Sequence, residues 1–472
     1  MTLLAHVRLR VGKKKIDPNI VGVPVVPPTD PTGDTEALRL HRHYRGKLQT
    51  ALKCPIRNFG DFAIWYTPGV AAPCRAIQVR ADDVYEFTNK GNTVAIVSDG
   101  TRVLGLGNIG PTAGLPVMEG KAILFKYLGG VDAVPICLKT KSPQELIRTV
   151  ELLEPSFGGI NLEDISQPNC FHVLDSLRES MSIPVWHDDQ QGSATVVLAG
   201  LQGALALVNK RLDRARIVLV GIGAANVATY RLLVAAGAVP GHIIACDRKG
   251  TLHRNREDLM RQQEIFVDKW RICCDSNADQ IVGGIPEALR GADICLAFSA
   301  PGPGTIEPEW IRPMASNPIV FACANPVPEI WPAIAREAGA KIVATGRSDF
   351  SNQVNNSLVF PGIFRGALDV RATTISNGMA MAAAGELALV AREQGLREER
   401  ILPPMDDIEA VLRVSVATAM QAQVEGCARL TKTAKELREE ATLVIQRARA
   451  MTDCLMQAGL IPPAPASEDI GS

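Results

Sequence analysis

The sequence predicts an α/β fold in two units, an N-terminal α/β domain and a doubly wound second domain, with C-terminal helices behind them. Three observations carry that expectation. Short apolar runs alternate with helical stretches over most of the 472 residues, a strand–Gly-x-Gly–helix succession stands near the middle, and "GGINLEDISQP" and "PVWHDDQQGSA" each end an apolar run with two adjacent carboxylates. Alternation of this kind implies layers of helix on a largely parallel sheet.

Residues 1–35 read as an extended leader, because "DPNIVGVPVVPPTDPTGDT" carries five prolines and two glycines. The first domain is expected over 36–200, with strands at "TVAIVSD", "VDAVPICL", "GGINLED" and "IPVWHDD" and a helix at "SPQELIRTVELLE". "GSATVVLAGLQGALALVNKRL" reads as a buried helix that bridges to the second unit, expected over 201–385. Its strands are "RIVLVG", "HIIACD", "ADICLAFS", "PIVFACANP" and "KIVATG", spaced widely enough for crossover helices. Residues 386–472 form a C-terminal helical segment. In it "TKTAKELREEATLVIQRARAM" has apolar residues at helical spacing and is expected to pack on the second domain or on a partner subunit.

Composition excludes several function classes. Lysine plus arginine equals aspartate plus glutamate at 50 each, so no global field draws in nucleic acid or anionic lipid. Eleven scattered cysteines contain no C-x-x-C, which leaves neither a zinc knuckle nor a disulfide framework and suits a reducing cytoplasm. No run approaches the roughly 18 apolar residues of a membrane span.

"RIVLVGIGAANVATYRLL" reads as a dinucleotide-binding signature of the Rossmann type, since a bare Gly-x-Gly is commonly a mere turn but here stands between an apolar strand and a helix. Gly221 permits the tight turn and Gly223 the close approach of a pyrophosphate at the helix N-terminus, and Ala224 and Ala225 keep the turn small. Asn226 stands where the fingerprint wants glycine or alanine, which is expected to loosen helix–strand packing. Asp247 suits a ribose 2′-OH and hence NAD, whereas Arg248 and Lys249 suit the 2′-phosphate of NADP. Both cofactors stay open.

Glu163 and Asp164, then Asp188 and Asp189, fall at strand ends, where open α/β sheets assemble their sites. Three such hard oxygen donors suit Mg²⁺ or Mn²⁺, although an acidic pair alone is as readily a helix cap or an exposed turn. His187 has no second histidine at i+4 and reads as a packing residue or as one that supports the ligands from behind, not as a ligand. Paired carboxylates also serve glycoside hydrolysis, against which the dinucleotide fold argues.

"WYTPGVAAPCRAI", "VSDGTRVLGLGNIGPTAGLPVMEGKAILFKYLGGVDAVPICL", "GGINLEDISQPNCF", "PVWHDDQQGSA", "CANPVPEI" and "ATGRSDFSNQVNNSLVFPGIFRGAL" together resemble the malic enzyme family in its short prokaryotic form, over about residues 36–385. The resemblance implies oxidative decarboxylation of malate to pyruvate and CO₂ with NAD or NADP and a divalent metal, Mg²⁺ or Mn²⁺. It makes Glu163, Asp164 and Asp189 the metal ligands, Lys121 the base with Asp188 as its partner, and Tyr66 the second proton-transfer residue. Arg102 would grip a substrate carboxylate, Asn325 and Asn356 would hydrogen-bond the substrate with Asn355 close by, and Asn325 would also border the cofactor.

Three departures from the family pattern stand out: Gln191 where many relatives carry histidine, Ser357 at a usually apolar position, and bulky Trp65 beside Tyr66. The rival readings are a malolactic enzyme, a dehydrogenase of another 2-hydroxy acid, and a catalytically silent nucleotide-binding module. The resemblance and the amphipathic C-terminal helix imply a homo-oligomer, a dimer or a multiple of it.

Overall fold

The computed structural model describes residues 31–465. Most of the expected 1–35 leader therefore lies outside the described residues, and its end falls inside a helix, α1 (Pro31–Tyr44). A proline is compatible with a first helical turn, where its missing N–H would have no partner.

The first sheet has four parallel strands in the order β2-β1-β3-β4: β1 (Thr93–Ser98), β2 (Asp132–Cys137), β3 (Gly159–Leu162) and β4 (Val185–His187). Central β1 buries Val94 to Val97 completely, as strands covered on both faces do. Its covering helices include α2 (Pro111–Gly129), α3 (Pro143–Leu153) and α4 (Asn169–Ser180). Helix α2 begins on proline and stops at Gly130, whose φ of 65° is the left-handed conformation that ends helices. After β4 the chain makes one π-helical turn, Asp188–Gly192, and enters α5 (Ser193–Leu207). That helix is apolar on nearly every side and buried, the bridge expected between the two units.

The second sheet runs β10-β9-β8-β5-β6-β7. Strands β5 (Ile217–Val220), β6 (Ile243–Asp247), β8 (Ile294–Ala297), β9 (Ile319–Ala322) and β10 (Ile342–Thr345) are parallel, and short β7 (Gly250–Thr251) is antiparallel to β6. Strand order reverses between β5 and β8, and helix α6 (Ala224–Ala235) leaves from that point. A reversal of this kind opens a crevice at the carboxyl ends of the strands.

The C-terminal helices are α7 (Phe360–Asp369), α8 (Asn377–Glu393), α9 (Ile408–Val424) and α10 (Ala434–Gln457). Helix α7, within the stretch assigned to the second domain, returns to the first: Phe125 of α2 packs on Phe360 and Phe364 with ring centroids 4.6 and 5.1 Å apart. Helix α10 was expected on the second domain or on a partner; it also lies against the first domain. Its buried stripe is Leu437, Ala441, Ile445 and Ala448, of which Ala441 and Ile445 cluster with Val411 and Leu412 of α9, and Arg449 Nε donates to the Tyr127 carbonyl at 3.1 Å. At Gly130 any Cβ would stand 2.7 Å from Val444, so α10 sits directly on the end of α2. Among the described residues no helix is long and apolar enough to cross a membrane.

Candidate active site

The carboxylate pairs become one cluster through strand register. Parallel pairing sets Asn161 beside Trp186 and Leu162 beside His187, so both acidic pairs leave the same end of neighbouring strands, and the Asp164 amide reaches Asp189 Oδ2. Lys121 enters from α2 and completes the cluster. Its Nζ lies 2.6 Å from Asp188 Oδ2, 2.9 Å from Glu163 Oε1 and 4.6 Å from the centre of the Phe360 ring.

Each acid is fixed by a neighbour. Asn161 Nδ2 donates to Glu163 Oε2 at 2.8 Å, and Trp186 Nε1 to Asp188 Oδ1 at 3.1 Å. Asp164 adopts the left-handed conformation (φ 56°), which aspartate tolerates better than most residues, and its amide donates to Asp189 Oδ2 at 2.8 Å. Gly192 is required by space: a Cβ there would lie 1.9 Å from Asp188 Oδ1 and 3.2 Å from Asn356 Cβ. Sequence reasoning missed Asn161 and Trp186. Both stand two residues before a carboxylate and so point to the same face of their strand, a period-2 signal that could have found them.

Electrostatics follow from burial. It pushes Glu163 and Asp189 above the usual carboxylate range and Asp164 up to about 8, the last with help from the charge of Asp189. Burial also works against the Lys121 ammonium, but Asp188 and Glu163 outweigh it and hold that group above the ordinary lysine range. His187 is fully buried and lowered to about 3 by burial, and its Nδ1 lies 3.7 Å from Asp189 Oδ2.

The donor set fits a hard divalent cation in kind. All candidate ligands are carboxylate oxygens, Asp164 Oδ2 is buried without a hydrogen-bond partner, and a cation would offset the crowded negative charge. The side chains do not form a finished cage. Glu163 Oε1 is turned to Lys121 and Asp189 Oδ2 to the Asp164 amide, and among the described residues no group of three or more His, Cys, Asp or Glu is arranged to hold a metal ion.

The remaining candidates divide. Arg102 is exposed on the loop after β1, and its amide donates to the Asp164 carbonyl at 3.0 Å. That loop touches the second unit, since a Cβ at Gly105 would stand 2.6 Å from the Asn325 carbonyl oxygen. Asn355 Nδ2 donates to the Gly346 carbonyl at 3.3 Å, and Asn356 borders the turn that carries Asp188 and Asp189. Tyr66 is left outside: 69% exposed, with no hydrogen bond to its hydroxyl among the described residues.

Of the departures, Gln191 turns its Oε1 back to the His187 amide at 3.0 Å, and Ser357 is buried with its hydroxyl unpartnered.

At the nucleotide crevice Gly221 has φ 84° and lies against β8: a Cβ would meet the Phe298 carbonyl oxygen at 2.6 Å. At Gly223, the N-cap of α6, a Cβ would meet no protein atom within 4 Å, so the space over that amide is open. Asn226 tightens the turn instead of loosening it, contrary to expectation. Its buried Nδ2 lies 3.0 Å from the Val220 carbonyl oxygen and 2.7 Å from that of Gly221, bonds glycine or alanine could not make. Asp247 is gripped by Arg256 through Nη1 and Nη2 at 3.1 and 3.0 Å, and Arg248 is exposed. Gly223→Ala is therefore expected to melt as the wild type does while its nucleotide KM rises about tenfold, a loss of about 1.4 kcal/mol in binding; thermal melts beside nucleotide titrations check it, and an unchanged KM would remove Gly223 from the site.

Comparison with known proteins accords with this geometry. Residues 45–145 match the malic enzyme N-terminal domain and residues 190–424 the malic enzyme NAD binding domain. The chain belongs to the malic enzyme family. It is 46% identical over 405 residues to the bifunctional malic/malolactic enzyme of Bacillus subtilis (strain 168), covering 86% of this chain and 97% of that protein. It is 48% identical over 387 residues to the NAD-dependent malic enzyme of Geobacillus stearothermophilus, covering 82% of this chain and 79% of that one. The crystal structure of Entamoeba histolytica malic enzyme superposes with a TM-score of 0.88 at 47% identity, over 91% of this chain and 90% of that chain. In this malic enzyme fold the carboxylate cluster and the Gly221–Gly223 turn lie at the carboxyl ends of the two sheets.

Proposed function

We propose that the chain oxidatively decarboxylates L-malate to pyruvate and CO₂ with reduction of NAD⁺ or NADP⁺, in the cleft between its two sheets. The observation that carries this reading is Lys121, buried beside four strand-end carboxylates within a malic enzyme fold. Glu163, Asp164 and Asp189 are the residues to hold a divalent ion, and the turn from Gly221 to Ala225, with Asp247 and Arg248 beyond it, cradles the dinucleotide. When bound, the nicotinamide takes the hydride from C2, and the ion polarises the C2 carbonyl and stabilises the enolate charge.

The chain's own groups do the rest. Arg102 grips one malate carboxylate with paired hydrogen bonds, and Asn325, Asn355 and Asn356 close on the substrate from the second unit. Lys121 accepts the C2 hydroxyl proton as hydride leaves; the C3–C4 bond then breaks and CO₂ departs. Tyr66 protonates C3 and recovers its proton from Lys121, so the hydroxyl proton ends on C3 and the balance closes. Asp188 orients the lysine and raises its proton affinity, so proton passage from Lys121 needs the ion's charge nearby to offset that of the acids.

An assay with L-malate, Mn²⁺ or Mg²⁺ and either nucleotide tests the reading. Reduced cofactor with stoichiometric pyruvate, lost on chelation, is expected. The second reading, malolactic, has support from the name of the Bacillus subtilis relative; lactate without net reduction would establish it. Asp189→Asn is expected to weaken metal affinity 10- to 100-fold, about 1.4–2.7 kcal/mol, read by metal titration of activity; an unchanged titration would remove Asp189 from the ligand set. The absence of any membrane-crossing helix among the described residues and eleven free cysteines fit a cytoplasmic location.

A further inference from the structure

A cavity of about 90 Å³ lies between the two units, against the turn that carries Asp188 and Asp189. Both units wall it. Leu174 and Arg178 come from α4 of the first, Ala228, Arg231 and Leu232 from α6 of the second, and Gln191 from the turn itself. No acidic side chain lines it, and neither Lys121 nor Arg102 reaches it. The cavity is therefore separate from the proposed reaction centre.

Its polar lining offers donors that the fold leaves unused. Gln191 accepts the His187 amide on its Oε1 at 3.0 Å, and its Nε2 is buried with no hydrogen-bond partner. A buried donor of this kind costs stability until something accepts from it. Arg178 carries five N–H donors in a planar fork, and among the described residues one acceptor takes them, the Ile375 carbonyl at Nη2. The nearby acids turn elsewhere: Asp268 accepts from Arg231 Nε at 3.1 Å, and Asp175 lies 3.9 Å from Arg231 Nη2. Burial holds the Arg178 guanidinium below the ordinary arginine range, and the charge of Arg231 adds to that against the pull of Asp175. Even so, a guanidinium stays protonated at any working pH, so the cavity keeps a positive charge without an ion pair of its own.

We propose that this cavity binds a short monocarboxylate, whose oxygens accept from the free N–H groups of Arg178 and from Gln191 Nε2 while its hydrocarbon lies on Leu174, Ala228 and Leu232. A guanidinium fork matches a carboxylate with two parallel hydrogen bonds. The apolar wall selects among anions. Leu174, Ala228 and Leu232 are buried, and an inorganic oxyanion, with oxygens on every side, would press some of them against that wall without donors. The volume, well under the roughly 300 Å³ of a drug-sized pocket, limits the ligand to a few carbon atoms. A ligand here ties α4 of the first unit to α6 of the second, so its binding stabilises the two units in the arrangement seen and, through Gln191, the turn that carries Asp188 and Asp189.

Titration calorimetry of the full chain with sodium propionate, at ionic strength held constant with sodium chloride, tests the proposal. The wild type is expected to bind propionate saturably. Gln191→Glu keeps the oxygen that accepts from His187 and sets a second oxygen where the free amide stood, so it should weaken binding by at least about tenfold. Arg178→Met should do the same, whereas Arg102→Met, at the proposed substrate grip, should leave this binding unchanged. Loss in Arg102→Met with retention in the other two would place propionate in the substrate site and overturn the proposal. No saturable heat up to about 20 mM propionate would also overturn it, and phosphate bound as tightly as propionate with the same dependence on Arg178 and Gln191 would overturn the carboxylate assignment. Thermal melting gives a second readout. A ligand that binds only the folded chain raises its melting temperature, so propionate should raise that of the wild type and of Arg102→Met but not that of Gln191→Glu. A cooperative melt without propionate establishes that each variant is folded, and if Arg178→Met is not, Gln191→Glu decides alone.

Discussion

Lys121→Ala is expected to lower kcat for malate oxidation by about 10³-fold while nucleotide affinity stays within twofold. The lysine reaches two of the four carboxylates, with Nζ 2.6 Å from Asp188 and 2.9 Å from Glu163, so it is the amine that the cluster places at the proposed reaction centre. The nucleotide crevice lies on the other sheet, at Gly221 and Gly223, and makes no use of that ammonium. The variant should also be less stable, since removing one partner of a buried ion pair costs about 3–5 kcal/mol before protonation relieves the acids. Stopped-flow turnover beside nucleotide titration reads both halves. A near-normal kcat would end the assignment of Lys121 as base.

Gly192→Ala should be nearly as damaging, although the change adds only one methyl. The added carbon would stand 1.9 Å from Asp188 Oδ1, well inside contact distance, and on its other side Asn356 Cβ is 3.2 Å away. Asp188 must swing off, and with it goes the ion pair to Lys121 and the hydrogen bond from Trp186 Nε1. Overpacking of this kind costs about 1–3 kcal/mol, and displacement of the Lys121 partner should cost about 10²-fold in kcat. A melting curve and a kcat measurement are sufficient. Wild-type values in both would mean that Asp188 does not fix the lysine.

Much of this architecture was legible because it is local. The four strands of the first sheet and five of the second fall on the quoted apolar runs, and both acidic pairs sit at strand ends, since burial on two faces demands continuous Val, Ile and Leu. Gly221 was readable as a tight turn because only glycine takes φ 84° freely with a carbonyl oxygen 2.6 Å from its missing Cβ. Asn226 was misjudged for the opposite reason: its effect depends on acceptors that exist only once β5 and α6 are built, when its amide reaches the carbonyls of Val220 and Gly221. Arg256 carried no signal at all. Its grip on Asp247 reaches nine positions back across a turn and the two-residue β7, too short a stretch to carry a period.

By itself the sequence determined the fold class, the nucleotide turn and the two acidic pairs at strand ends, because strand period and glycine conformation are properties of neighbouring residues, whereas Lys121 was singled out only by the resemblance to the malic enzyme family. The tertiary structure alone decided who meets whom. It turned Lys121 of α2 onto Asp188 sixty-seven positions later, folded α7 and α10 back onto the first domain, and left Tyr66 on an uncovered arm. Such contacts are set by packing of whole layers, in which a side chain's partner is chosen by the space that remains after every core residue has been buried, and no local pattern encodes that space.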